Sequence, residues 1–156
     1  MDQKIKNMVV ALDFSEYSKP ILDYAVHIAR WTRSGITVLH IINRKAIDSI
    51  KRQFEMDHLE YFPYADYVVR EKKRCASKLE TLIKDCGADD IDFKISIDEG
   101  VPSVEILKFL KKEDMDFLVM GQKGRSDLPD FLTGGVCEKV FRHSPVPVLT
   151  LRLPKQ

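Results

Sequence analysis

Short apolar runs alternate along this chain with longer segments whose apolar residues fall at helical spacing. Met8-Val9-Val10-Ala11-Leu12 is continuously apolar, too short for a helix and bounded by Asp13. It predicts a central strand of a parallel sheet, buried on both faces. Asp13-Phe14-Ser15-Glu16 then supplies turn and cap residues. Ser15 or Ser18 can accept from the first free N–H groups of the next helix, and Pro20 is tolerable in its first turn. Ile21, Leu22, Ala25, Val26, Ile28 and Ala29 mark the inner face of that helix, and Gly35 is expected to close it. The β-branched run Ile36-Thr37-Val38-Leu39-His40-Ile41-Ile42 reads as a second buried strand, with His40 a structural residue inside it.

Residues 43–64 are the least orderly stretch and are expected to form a long crossover loop, rich in charge and in aromatics. Periodicity returns from about Asp66, with Val68, Cys75, Leu79, Leu82, Ile83 and Cys86 on one face and Gly87 at the end. Residues 91–97 alternate with period two, the mark of a half-buried edge strand. Pro102 opens a third helix with Ile106, Leu107 and Leu110 inward, and Phe117-Leu118-Val119-Met120 is again a buried strand. Val136, Val140 and Phe141 are spaced for a last helix, and residues 146–151 for a last strand. Pro147 suits a strand start or an edge. This alternation predicts one domain over residues 1–156, an open α/β sheet with helices on both faces. In such sheets ligands sit beyond the carboxyl ends of the strands, where the winding direction reverses.

The candidate chemistry lies at those ends. The fourth strand runs into Gly121-Gln122-Lys123-Gly124-Arg125, and nine residues separate Gly124 from Gly134-Gly135-Val136. Glycines let backbone approach an anion closely, and the free N–H groups of a helix start point at negative charge. Lys123 and Arg125 could pair with phosphate, although such residues are more often solvated loop charges. The chain lacks G-x-x-x-x-G-K-[S/T], and Asp13-Phe14-Ser15-Glu16 stands where a dinucleotide fold carries G-x-G-x-x-G. Neither common phosphate motif applies.

Taken together, these segments resemble the universal stress proteins over nearly the whole chain. Val9-Val10-Ala11-Leu12-Asp13-Phe14-Ser15-Glu16 is similar to that family's opening strand and acidic turn, and Gly121-x2-Gly124-x9-Gly134 to its nucleotide motif. Residues 138–149 resemble its closing helix and strand. The resemblance implies a five-stranded parallel sheet in the order 3-2-1-4-5. It implies ATP, with Mg²⁺, as the ligand. Asp13, with Phe14 and Ser15 beside it, would meet the ribose or base, and the backbone around Ile41 and Met120 would border adenine. Gly121, Gly124, Gly134, Gly135 and Val136 would surround the phosphates. It also implies a homodimer through the last strand, Val148 to Leu151. One position departs: the motif's last residue is usually Ser or Thr, and here it is Gly135.

Composition narrows the rest. With 25 basic and 24 acidic residues, the net charge of +1 gives no reason to invoke nucleic acid or an anionic membrane. No apolar run approaches the roughly 20 residues of a membrane span, and the N-terminus lacks a leader's apolar segment, so cytoplasm is expected. Cys75, Cys86 and Cys137 are too scattered for a disulfide framework or a zinc knuckle, and Asp57 with His58 makes a poor metal pair. The leading expectation is an ATP-binding regulatory protein acting through an unknown protein partner. Two others stand beside it: a slow ATPase or adenylate-transferring enzyme, for which Asp127 and Asp130 are the nearest acids, and a dimeric module that binds no nucleotide.

Overall fold

A computed structural model describes residues 4–58, 60–122 and 135–154. The elements run β1 (Asn7–Ala11), α1 (Ser18–Thr32), β2 (Gly35–Asn43), α2 (Arg44–His58), α3 (Tyr64–Asp85), β3 (Phe93–Gly100), α4 (Pro102–Lys112), β4 (Phe117–Gly121), α5 (Val136–His143) and β5 (Val148–Leu151). The strands form one parallel sheet in the order β3-β2-β1-β4-β5. The continuous apolar runs occupy the middle of the sheet and the alternating run its edge, as two-sided against one-sided burial requires.

Alternate residues of each strand feed two layers. Met8, Val10, Ile36, Val38 and Val119 pack beneath Ile21, Leu22, Ala25 and Ala29 of α1 and Leu79 of α3. Val9, Leu39, Ile41, Leu118 and Met120 face Ile106 and Leu110 of α4 and Val140 of α5. Helices on opposite faces follow from right-handed crossovers that wind leftward from β1 through β2 to β3, then rightward through β4 to β5.

Three local expectations are corrected. Residues 44–58 are helical rather than a loop. Ile47, Ile50 and Phe54 carry a helical spacing, but Ile47 alone is fully buried, so the apolar signal was thin. The aromatics that follow have a packing role: Phe62 is buried with Ile42, Ile47 and Cys75, and Phe54, Tyr64 and Tyr67 close around it. Arg33, not Gly35, ends α1, in left-handed conformation at φ 59° with its N–H on the Ala29 carbonyl. Gly35 instead begins β2, where a Cβ would sit 3.4 Å from the Asp92 carbonyl oxygen. No side-chain hydrogen bond caps α1 in the manner expected; the Ser15 backbone carbonyl receives the Ser18 N–H at 3.0 Å. Gly87 does end α3, at φ 56°.

Cys86 lies where α3 meets α1, close to Lys19 and Asp23. Burial, and then a hydrogen bond to Asp23, push its thiol up to about 12. Such a group stays neutral in the folded chain while the unfolded chain ionises, so its stabilisation is complete below the ordinary thiol range and fades as pH rises. Burial raises Cys75 and Cys137 in the same direction. Thermal melts are therefore expected to lose stability from pH about 9 upward, and Cys86→Ala to flatten that decline relative to the parent; parallel pH profiles would contradict it.

Candidate functional site

The register of the central strands fixes what meets at the carboxyl rim of the sheet. Ala11 pairs with Met120 of β4 on one side and with Leu39 of β2 on the other. The next residue continues the ladder, the Leu12 N–H reaching the Leu39 carbonyl at 2.9 Å. Continued past the paired residues, the same register sets Leu12 level with Gly121 and His40, and Asp13 one residue further, level with Gln122 and Ile41. The rim at β1 and β4 is also where the winding reverses: α1, which follows β1, and α5, which follows β4, pack on opposite faces, the arrangement at which such sheets bind ligands.

Asp13 is held in a tight turn. Its Oδ1 accepts the Ser15 N–H at 3.0 Å, and the Ser15 Oγ accepts the Tyr17 N–H at 3.4 Å. Between them Phe14 adopts φ 60°, an uncommon conformation for an aromatic residue. Its ring lies 4.3 Å from the His40 ring, and the Lys78 ammonium sits 5.2 Å from its centroid. His40 is buried, with Nδ1 2.8 Å from the Leu12 carbonyl oxygen. Met120 and Ile41 are buried on the α4–α5 face.

On the phosphate side of the expected site, Gly121 closes β4 and its successor's N–H bonds the Leu151 carbonyl at 2.8 Å. Lys123, Gly124, Arg125 and Gly134 lie outside the described residues, as do Asp127 and Asp130. Gly135 is the N-cap of α5 and Val136 its first residue. Because β4 and β5 are parallel, α5 runs back from the carboxyl rim, which places its N-terminus, the positive end of the helix, there. Gly135 makes no side-chain cap, its φ of −64° is ordinary, and a Cβ built on it meets nothing within 4 Å.

A second polar group at the rim escaped the sequence reading. The Tyr64 hydroxyl donates to Glu99 at 3.1 Å, and Arg44 approaches the same carboxylate at 3.7 Å. Burial first, then Glu99, raise the Tyr64 phenol. These residues are far apart in sequence, and the only available signal was that each borders an element end. The Asp57 and His58 pairing does not develop: Asp57 accepts from Gln53, and His58 Nδ1 lies 3.1 Å from the Phe54 carbonyl. Among the described residues no three His, Cys, Asp or Glu side chains gather as a metal site, and no helix is long and apolar enough to cross a membrane.

An open parallel sheet in the order β3-β2-β1-β4-β5, with helices on both faces, defines a doubly wound α/β protein. The model of the universal stress protein family matches residues 4–152, and the chain belongs to that family. Universal stress protein YxiE of Bacillus subtilis strain 168 is 30% identical over 148 residues, spanning 93% of this chain and 97% of that protein. The solved structure of the hypothetical protein MJ0577, from Methanocaldococcus jannaschii, superposes with a TM-score of 0.78 at 24% identity over 98% of this chain and 99% of that one. An Archaeoglobus fulgidus universal stress protein, solved in complex with dAMP, gives 0.62 at 19% identity over 96% and 99% of the two chains.

Proposed function

We propose that this protein binds an adenine nucleotide, ATP in the first instance, across the crevice between β1 and β4, and that occupancy changes the surface it offers a protein partner. The observation that supports the reading is the parallel pairing of β1 with β4, which brings the strand end leading into Asp13 alongside the strand end at Gly121, at the switch point. A carboxylate accepts hydrogen bonds from ribose hydroxyls or an amino group and repels phosphate. The sugar and base therefore belong at Asp13 and Ile41. The phosphates belong at Gly121, the 123–134 segment and the α5 N-terminus, with Lys123, Gly124, Arg125, Gly134, Gly135 and Val136 as their surroundings. The dAMP complex of the Archaeoglobus relative supports an adenine nucleotide as the class. Mg²⁺ would arrive on the phosphates, which with water supply most of its oxygen ligands.

A homodimer through β5 accompanies this reading. β5 is an edge strand whose four residues are all half-buried. Tyr24 and Trp31 are exposed on the flank of α1 that also carries Ile28, which packs with Leu149 and Leu151 in one cluster. An open edge beside apolar surface is a pairing site for a symmetry mate.

Native mass spectrometry of freshly purified protein tests both statements in one measurement. The expected species is a dimer carrying an adenine nucleotide. A Kd below about 100 μM would also raise stability by about 1.4 kcal/mol at 1 mM ATP. A bare chain with no thermal shift at that concentration would sink the nucleotide reading, whatever its oligomeric state.

Gly135→Ser is expected to tighten ATP binding by about fivefold to tenfold, the worth of one restored hydrogen bond near 1 kcal/mol. The same hydroxyl would cap α5 and add a few tenths of a kcal/mol to stability. Titration calorimetry and thermal melts read the two effects separately. Unchanged affinity in a stabilised variant would mean that residue 135 serves the helix alone.

A further inference from the structure

We infer that His40 is the positioning residue of the nucleotide site: by holding the Leu12 carbonyl from the adjacent strand, it sets where the Asp13 carboxylate points, while its ring packs Phe14. This rests on the adenine-nucleotide reading for its consequence, though not for its geometry.

Leu12, Asp13 and Phe14 are the three residues in which β1 stops being a strand. Leu12 still donates to the Leu39 carbonyl, whereas Phe14 has turned to φ 60°. The reversal is therefore completed across Asp13, and small rotations there swing its carboxylate along the rim. A non-glycine residue in the left-handed region costs roughly 1 kcal/mol or more and persists only when its surroundings over-determine it. His40 supplies two of the determinants from the neighbouring strand. A carbonyl oxygen only accepts, so Nδ1 at 2.8 Å from the Leu12 oxygen must carry the proton, which fixes both tautomer and ring orientation. The oriented ring then meets Phe14 at a 4.3 Å centroid distance and a 47° tilt. Lys78 of α3 closes the other side at 5.2 Å, and Phe14 packs at once with the α1 cluster and with the aromatic cluster around Phe62.

Donor and ring separate by substitution. His40→Phe keeps an aromatic face for Phe14 and removes the donor. His40→Asn places an amide N–H near the Nδ1 position and removes the ring. His40→Leu removes both. Two quantities are read: the Kd for ATP by calorimetry, and the chemical shift of the Ser15 amide in ligand-free protein, whose hydrogen bond to Asp13 Oδ1 reports the carboxylate directly.

His40→Leu and His40→Phe are expected to weaken ATP binding about tenfold and to move the Ser15 resonance. His40→Asn should recover the affinity to within about threefold of the parent and return the resonance, even though its thermal stability stays low. A role in packing alone would make affinity follow stability, with Asn resembling Leu, and that result overturns the proposal. So does a folded His40→Leu protein that binds ATP as the parent does. Should His40→Leu fail to fold, the contrast of Phe with Asn carries the same decision. If the parent protein binds no ATP, the nucleotide reading fails by itself. The ligand-free Ser15 resonance then decides the positioning role, and its indifference to His40→Phe overturns that too.

Discussion

Replacing Asp13 with alanine is expected to raise the Kd for ATP by about tenfold to a hundredfold, the worth of a hydrogen bond to a charged acceptor at about 1.5–3 kcal/mol. The change removes the carboxylate just past the end of β1, and with it the Asx contact to the Ser15 N–H. Asp13→Asn separates these roles. It keeps an oxygen for the Ser15 N–H and so preserves the turn, but it gives up the charge that ribose hydroxyls or an amino group would find. Calorimetry with ATP should rank the parent above Asn and Asn above Ala, with melting temperatures falling only for Ala. An Asp13→Ala protein that binds within about twofold of the parent would remove Asp13 from the site.

Leu118→Ala carries the largest expected cost in stability. Leu118 is fully buried in β4, pairing with Val9 on one side and Val148 on the other, and its side chain fills the layer beneath α4 and α5. Truncation leaves a cavity that the parallel ladder cannot close, and about 2–5 kcal/mol of destabilisation follows. The strand it anchors also presents Met120 and Gly121 at the rim. The variant should therefore show a depressed denaturation midpoint by urea titration together with a weaker ATP-induced stabilisation. A loss below about 1 kcal/mol would mean that the α4–α5 layer repacks more freely than its burial implies.

The sheet was legible because parallel strands buried on both faces leave a signature that no surface element imitates. Met8 to Leu12, Ile36 to Ile42 and Phe117 to Met120 were strands by composition and length alone, and the alternation at residues 91–97 placed that strand at an edge. Strand order was a different matter. Periodicity says nothing of which strand lies beside which, and the order 3-2-1-4-5 came from the family resemblance. Helix α2 was lost because its stability comes from Ile47 and the aromatic cluster behind it, contacts made with residues far along the chain. Of the candidate site, Asp13, Ile41, Met120 and Gly121 fall on one rim as their strand ends required. The contact of the Phe14 ring with His40 was invisible, since it depends on two adjacent strands being in register.

The light attachment of α2 bears on how the molecule breathes. One fully buried side chain, Ile47, ties this helix to the body, whereas β1, β2 and β4 are each sealed by several. Free energies of local opening track such differences. The amides of α2 should therefore exchange with solvent through a partial opening that leaves the central ladder paired and Asp13 in place. Chain length could be gained or lost at this point while the pairing of β1 with β4 is kept, making α2 the natural place for this protein to vary.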